Sequence, residues 1–294
     1  MRAIAGLIIL WISYSSVDQE QRPILSQTSN DKIVDTIHSK ILNEDRFIWL
    51  HIPKAQPANK RLPVIFVLDA EANFDETQKT LDKLSKEPAS NTAANVILVG
   101  IGNIWQRYRD YSPTHVEAAS AGIDAATAKT TGGGEAFVSF LEKEVLPHIE
   151  KKYPVSSNRT LIGHSMGGLM VIYILLKHTA LFDNYVAIDP ALWWDNHKLL
   201  NEGASILGNQ QFDSKRLFLA IANETEVKMM ADQIKKDTSS KTALIRPSFL
   251  LADIVEKNKQ NKLNFQWKFY QDEHHMTVNT PATHDALKTL VNNF

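Results

Sequence analysis

The amino-acid sequence of 294 residues predicts an α/β protein, with helices on both faces of a mostly parallel central sheet. Three observations carry this prediction. Strand-like and helix-like segments alternate from Asp31 to the end of the chain. The central strand candidates are continuous apolar runs, as expected where a strand is covered on both faces. Near the start, two apolar-rich runs flank Glu44 and Asp45, which suits an antiparallel hairpin at one edge of the sheet.

The composition is that of a soluble globular domain. Apolar residues make up 44% and charged residues 22% of the chain, and residues 31–294 show no domain boundary. The formal net charge of -1 gives no reason to expect nucleic acid or an anionic membrane as a partner. The chain has no cysteine, which excludes disulfides, thiolate metal sites and a cysteine nucleophile. No cofactor is predicted, and the composition leaves the oligomeric state open.

Residues 1–16 have the pattern of a secretory signal peptide. A positively charged start precedes an apolar run at 3–12, and small or polar residues follow at 13–16. The run is shorter than the ~20 residues that a transmembrane helix needs, so no membrane span is expected in the mature protein. Residues 17–30 form a polar leader, and the protein is expected to be periplasmic or secreted. The alternative is that the apolar run forms a first strand or helix of the mature fold.

The remaining elements follow in order along the chain. Helices are expected at 135–152, where Pro147 would bend or divide the helix, and at 169–177, 247–257 and 281–292. Residues 112–134 are rich in alanine, threonine, serine and glycine and predict a long loop or a small lid. Strands are expected at 36–43, 46–53, 62–68, 95–101, 159–162, 185–188, 216–221 and 263–270.

The run from Gly163 to Gly167 matches the motif G-x-S-x-G, in which a serine lies on a sharp turn between a strand and a helix. Glycines are needed two residues to either side because this turn brings the backbones close together. A strand candidate precedes the motif and an apolar helix follows it, as the motif requires. Ser165 is therefore the predicted nucleophile, and His164 is interpreted as a packing residue. The alternative is a glycine-rich turn with an incidental serine.

A serine is a weak nucleophile at neutral pH and needs a general base. In the α/β-hydrolase fold the base follows the last strand, and His274 and His275 follow the strand candidate 263–270. Adjacent residues project to different sides, so only one of the two can serve. The competing hypothesis is a metal site formed by Asp272, Glu273 and both histidines. It is disfavoured because four consecutive residues do not readily converge on one ion.

The other catalytic groups are predicted from the order of elements in this fold. The acid should follow the strand 216–221, where Glu226 is the first choice and Glu224 the second. Such a carboxylate orients the imidazole and stabilises its cation. The alternative is that both are solvated charges at the start of a helix. The backbone amides of Met166 and Ala70 are the predicted donors to the oxyanion.

Several segments together look like those of a known family. On these segments the chain resembles the putative-esterase family of α/β hydrolases, which includes enterochelin-type siderophore esterases and esterase D-like enzymes. The resemblance implies the α/β-hydrolase fold with an antiparallel N-terminal edge, and it implies that the base is His275. The matching segments are residues 39–46, 67–70, 100–103, 107–113, 163–169, 189–196 and 273–278.

Three positions depart from the family pattern. Met276 stands where the family has a glycine beside the histidine, and Asp189 replaces the first serine of a Ser-Pro-Ser segment. Asn223 stands where a glycine often precedes the acid, and some members work with a serine-histidine pair alone. The resemblance also implies that two tryptophans and two arginines lie near the site, with core packing and a solvated surface as their alternatives. These substrate-binding candidates are Arg107, Arg109, Trp193 and Trp194.

These residues together predict a serine carboxylic-ester hydrolase that forms an acyl-enzyme on Ser165 and acts on a small-molecule ester. A more specific alternative is a siderophore esterase that cleaves a catecholate trilactone. A second alternative is an acyltransferase on the same fold, which would pass the acyl group to an alcohol other than water. A third, a binding protein without activity, is disfavoured by the presence of both Ser165 and His275.

Overall fold

The computed structural model describes residues 32–53, 60–103, 105–118, 123–225 and 228–291. The predicted signal peptide at 1–16 and polar leader at 17–30 lie outside these residues. Eight strands are present in the described residues: β1 Ile33–Ser39, β2 Glu44–His51, β3 Leu62–Leu68, β4 Ile97–Ile101, β5 Val155–His164, β6 Asn184–Ile188, β7 Arg216–Ala222 and β8 Asn264–Tyr270.

The strands form one sheet in the order β1-β2-β4-β3-β5-β6-β7-β8. The pairs β1–β2 and β2–β4 are antiparallel, and every pair from β4 to β8 is parallel. The predicted fold class is therefore confirmed, with the hairpin at the N-terminal edge. Because the parallel strands point the same way, the loops after β3, β5, β6, β7 and β8 all emerge at one edge of the sheet. Ligand sites of such sheets lie at this edge.

Helices and short helical turns connect the strands. The helices are α1 Ala70–Leu84, α2 Arg107–Tyr111, α3 Ala125–Thr130, α4 Gly134–Phe140, α5 Leu146–Lys152, α6 Met166–Lys177, α7 Trp194–Asn209, α8 Ala231–Lys236, α9 Arg246–Lys257 and α10 Asn279–Val291. Three 3-10 turns lie at Pro88–Asn95, Ser240–Thr242 and Lys259–Asn261, and a π-helical turn at Leu141–Val145 joins α4 to α5.

The π-helical turn shows how the chain accommodates Pro147. Proline lacks the N–H that an α-helix needs and clashes with the carbonyl four residues earlier. The wider turn directly before α5 puts Pro147 in the first turn of that helix, where no N–H bond is required. The predicted helix 135–152 is therefore present but divided, as the proline indicated.

Apolar side chains pack against both faces of the sheet. In β3, Val64, Phe66 and Leu68 belong to the core on one face, and Ile65 and Val67 to the core on the other. All five are at most 1% exposed. This double burial is the reason that β3 reads as a continuous apolar run. No helix of the described residues is long and apolar enough to cross a membrane.

The segment predicted as a long loop or lid is tied down where it begins and ends. The amide of Gly134 donates to the carbonyl of Ser112 at 3.0 Å, and the amide of Gly132 donates to the Ser112 hydroxyl at 2.7 Å. Between these ends lies the short helix α3, capped by the Asp124 carboxylate. The part of this segment at residues 119–122 lies outside the described residues.

Candidate active site

Ser165 lies in the turn between β5 and α6. Its backbone has φ 61 and ψ −119, a conformation that L-residues rarely adopt. Its amide donates to the Ile188 carbonyl at 3.0 Å, and its carbonyl accepts from the Ala191 amide at 3.1 Å. A side chain at Gly163 would put its Cβ 2.4 Å from the Gly167 carbonyl oxygen. The glycine is therefore required by the close approach of the two sides of the turn.

The turn after β8 brings His275 to this serine. Nε2 of His275 lies 3.0 Å from the Ser165 Oγ. The neighbouring His274 is exposed, and its Nδ1 accepts from the Met276 amide at 3.3 Å. Of the two candidate histidines, the structure therefore brings only His275 against the nucleophile.

The carboxylate behind the histidine is that of Asp189, and the predicted position of the acid is corrected. Oδ2 of Asp189 lies 2.6 Å from His275 Nδ1. Because a carboxylate only accepts, Nδ1 carries the proton and Nε2 is free to accept from the serine hydroxyl. Of the predicted acids, Glu224 is exposed and its carboxylate accepts from the main-chain amide of His275. Glu226 lies outside the described residues.

The carboxylate that reaches the His275 ring follows β6, one strand earlier than the predicted acid. Asp189 is the first residue after β6, has φ 41, and is 8% exposed. Its amide donates to the Ala220 carbonyl at 2.8 Å, and its Oδ1 accepts from the Ala222 amide at 3.0 Å. These two bonds to β7 fix the carboxylate and leave Oδ2 for the histidine.

The protonation of the two histidines at the site is set by burial and by neighbouring groups. Burial alone would disfavour protonated His275, but the hydrogen bond and the charge of Asp189 outweigh it and raise the pKa of His275 above 6.5. The neighbouring His164 behaves oppositely. Burial, followed by the nearby His275, lowers the pKa of His164 to about 3. At neutral pH His164 is therefore uncharged.

The two predicted oxyanion donors lie at the first positions of helices. Ala70 begins α1 and Met166 begins α6, so their amides have no partner within the helix. β3 and β5 are parallel neighbours, with Val67 opposite Ile162. A Cβ at Gly167 would lie 3.6 Å from the Leu68 Cβ, so the start of α6 lies against the end of β3. Both amides thus start from adjacent strand ends beside the nucleophile.

Arg107 connects these two strand ends through hydrogen bonds. Its Nε donates to both carboxylate oxygens of Asp69 at 3.0 and 3.1 Å. Its Nη2 donates to the His164 carbonyl at 3.2 Å. Asp69 in turn donates its amide to the Tyr111 hydroxyl at 3.1 Å. The Arg107 charge is therefore paired with Asp69, and its role as a substrate contact stays a prediction.

Arg109 belongs to a second ion-pair cluster, and its role as a substrate contact likewise stays a prediction. Its Nη1 and Nη2 donate to the two oxygens of Glu44 at 3.0 and 2.7 Å, and its Nε donates to Asp110 at 2.7 Å. Arg46 pairs with the same two carboxylates from the other side. Asp110 is fully buried, so this cluster ties β2 to α2 within the fold.

The two tryptophans have different environments. Trp194 is 2% exposed, and its Nε1 donates to the Thr114 carbonyl at 3.3 Å. It therefore anchors the start of the 112–134 segment and is not a substrate contact. Trp193 is half-buried with its ring 6.0 Å from that of Trp194, and its role in substrate binding stays a prediction.

Comparison with known proteins identifies the family of this chain. The sequence profile of the family described as "Putative esterase" matches residues 39–287. The chain belongs to the putative esterase family. The match runs from the N-terminal hairpin to the last helix and therefore includes Ser165, Asp189 and His275.

Relatives within this esterase family carry siderophore esterase names. "Ferri-bacillibactin esterase BesA" of Bacillus subtilis is 30% identical over 170 residues, which cover 54% of this chain and 59% of that protein. "Siderophore enterobactin esterase" of Emericella nidulans is 25% identical over 269 residues, 80% of this chain and 84% of that protein. The solved structure of an IroE-like serine hydrolase from Shewanella oneidensis has a TM-score of 0.79 and 29% identity, covering 90% of this chain and 81% of that chain.

Two features of the site are not predicted from the sequence. Asp189 was noted only as a replacement of a family serine, although a carboxylate directly after a buried strand is a signal in its own right. His164 was interpreted as packing, and nothing in the sequence indicates its bond to the base. Met276, which the sequence analysis noted beside His275, is 77% exposed. Within the described ranges, no cluster of histidine and carboxylate side chains is suited to a metal ion.

Proposed function

We propose that this esterase-family chain is a serine carboxylic-ester hydrolase in which Ser165, His275 and Asp189 act as a catalytic triad. The observation that carries the proposal is the continuous hydrogen-bonded chain of 3.0 Å and 2.6 Å from Ser165 through His275 to Asp189. A serine, an imidazole and a buried carboxylate in this arrangement are the groups that acyl transfer requires.

The proposed reaction proceeds through an acyl-enzyme. Nε2 of His275 takes the proton of Ser165 as Oγ attacks the ester carbonyl, and Asp189 stabilises the resulting imidazolium. The amides of Met166 and Ala70 donate to the oxyanion. The carbon–oxygen bond to the alcohol then breaks, and the alcohol leaves with the proton from His275. Water, deprotonated by the same histidine, attacks the acyl-enzyme and releases the acid and Ser165.

We further propose a siderophore ester as the physiological substrate. This rests on the names of the relatives, two of which are esterases of bacillibactin and enterobactin. Met276, directly after His275, is exposed and gives the surface there apolar character. Export to the periplasm or the medium is proposed from residues 1–16 alone.

The test is a hydrolysis panel with purified protein and two variants. The panel contains p-nitrophenyl butyrate, a short-chain thioester and ferric catecholate trilactones, each with and without an added alcohol. Ser165→Ala should abolish turnover, and Ser205→Ala, which alters an exposed serine of α7, should leave it unchanged. Hydrolysis by Ser165→Ala at the wild-type rate would contradict the proposal. Transfer of the acyl group to the added alcohol in preference to water would instead indicate an acyltransferase.

A further inference from the structure

His164 is the last residue of β5 and lies against the base as well as beside the nucleophile. Its ring centroid is 4.5 Å from that of His275, with the two rings inclined by 36°. Its Nε2 lies 2.9 Å from the main-chain carbonyl oxygen of His275. A carbonyl oxygen only accepts, so Nε2 of His164 must carry the proton and donate. The bond therefore fixes both the tautomer of His164 and the backbone of the base.

The turn that carries His275 is also bonded to the fold before this residue, where the Asn223 amide donates to the Glu273 carbonyl at 2.8 Å. His274, Met276 and Thr277 are all exposed, and Met276 is 77% exposed. The main-chain amide of His275 donates to the Glu224 carboxylate. With His164 on the carbonyl, the backbone of His275 is held from both sides. Asp189 then has to fix only the imidazole ring.

His164 is itself held rigidly and without charge. Arg107 donates to its carbonyl at 3.2 Å, and β5 pairs with strands on both sides. The charged and titratable groups that face its ring are His275, Asp189 and Arg107. Burial keeps the pKa of His164 at about 3, so it stays neutral while His275 gains and loses a proton. A neutral donor can touch the base without repelling the imidazolium that forms during acyl transfer.

We propose that His164 is a positioning residue for the general base: its Nε2–H binds the main-chain carbonyl of His275 and its ring supports the imidazole. The turn that carries the nucleophile and the loop that carries the base are thereby held as one unit. This inference rests on the proposed hydrolase function. It assigns a role to the variable position before the serine of G-x-S-x-G in this chain.

The activity test compares His164→Phe with His164→Gln. Phenylalanine keeps a flat ring but has no donor, whereas the glutamine amide can place an N–H near the position of Nε2. We expect His164→Phe to lower kcat for p-nitrophenyl butyrate ~10- to 100-fold with KM changed less than about threefold, since misplacement by about 1 Å costs up to ~100-fold. His164→Gln should recover at least a severalfold part of kcat. His38→Phe, on the exposed edge strand β1, is the matched control.

Two results would overturn the inference: wild-type kcat in His164→Phe, or equal losses in the phenylalanine and glutamine variants. Should the phenylalanine variant not fold, ¹⁵N-detected histidine spectra of the wild type decide. The spectra should show one histidine that is protonated at Nε2 and does not titrate between pH 5 and pH 8. The signals of this histidine should be absent from His164→Gln. An Nδ1–H tautomer, or titration near pH 6.5, would overturn the inference. Failure of the hydrolase proposal would be seen separately, as absence of turnover in the wild type.

Discussion

Two residues of the site have backbone conformations that side chains disfavour. Ser165 has φ 61 and Asp189 has φ 41, and such strain costs on the order of 1–3 kcal/mol per residue. Backbone hydrogen bonds hold both residues. The Ser165 amide donates to the Ile188 carbonyl, and the Ser165 carbonyl accepts from the Ala191 amide. The Asp189 amide donates to the Ala220 carbonyl. The sheet therefore provides the rigidity that keeps these two side chains aimed at His275.

Replacing Asp189 tests the assignment of the acid. Asp189→Asn keeps the shape but removes the charge that stabilises the imidazolium, and its amide can stabilise the wrong tautomer. We expect kcat for p-nitrophenyl butyrate to fall by ~10²–10⁴-fold. Glu224→Gln is the matched control, because its amide oxygen still accepts from the His275 backbone, and it should lose at most about threefold. If Glu224→Gln lost more activity than Asp189→Asn, the acid would be Glu224 and not Asp189.

The pH dependence of activity follows from the raised pKa of His275. The base must be neutral to take the serine proton, so kcat/KM falls as the pH drops through this pKa. Because Asp189 raises the pKa above 6.5, the acid limb of the profile should have its midpoint above pH 6.5 in the wild type. In Asp189→Asn the midpoint should move to lower pH. Rates measured from pH 5 to pH 9 check this, and a wild-type midpoint below 6.5 would refute it.

At the scale of elements, the turn between β5 and α6 depends on its glycines. In Gly163→Ala the new Cβ would meet the Gly167 carbonyl oxygen at 2.4 Å, and backbone atoms cannot move away cheaply. We expect this variant to lose ~1–3 kcal/mol of unfolding free energy in urea, together with most of its activity.

The matched control is Gly208→Ala within α7, where the Cβ would have its nearest neighbour at 3.6 Å. Alanine favours a helix interior over glycine by about 0.5–1 kcal/mol, so this variant should be as stable as the wild type or more stable. If Gly163→Ala were as stable as the wild type, the turn would have space for a side chain at this position, which would contradict the close contact with Gly167.

Strands were predicted from sequence better than helices, for reasons visible in single residues. The bounds of β3 were predicted to the residue, because its side chains are buried on both faces and all are apolar or proline. The helix α1 was missed because its buried face includes Asn73, Thr77 and Thr80, which weaken the apolar period. The helix α7 was also missed. Its start is irregular, because Asp195, Asn196 and His197 have positive φ values.

The acid shows the limit of motif reasoning. Ser165 could be predicted because its glycines and flanking segments carry the geometry in the sequence. The choice between β6 and β7 for the acid depends on which carboxylate reaches the His275 ring. In the folded sheet Asp189 reaches the ring and Glu224 reaches the main-chain amide. The ion pairs of Arg107 and Arg109 could not be predicted for the same reason. Their partners Asp69 and Glu44 are 38 and 65 residues away in the chain.

At the scale of the whole molecule, the neutral and half-buried His164 links stability to pH. Its pKa is about 3 in the folded state and near 6.5 when unfolded. Between these values the unfolded chain binds a proton that the folded chain does not, so stability falls as the pH falls. When the pH is lowered from 6 to 5, the unfolding free energy of the wild type should fall by about 1 kcal/mol more than that of His164→Phe. Urea unfolding at both pH values measures this, and an equal fall in unfolding free energy in the two proteins would contradict the neutral state of His164.

The central claim is that Ser165, activated by His275 and Asp189, is the nucleophile of this esterase-family protein. Mass spectrometry after reaction with a fluorophosphonate tests it most directly. We predict one adduct per chain, on the peptide that contains Ser165, forming in parallel with loss of ester hydrolysis and much more slowly in Asp189→Asn. An adduct on another residue, or full hydrolysis by protein labelled at Ser165, would contradict the account.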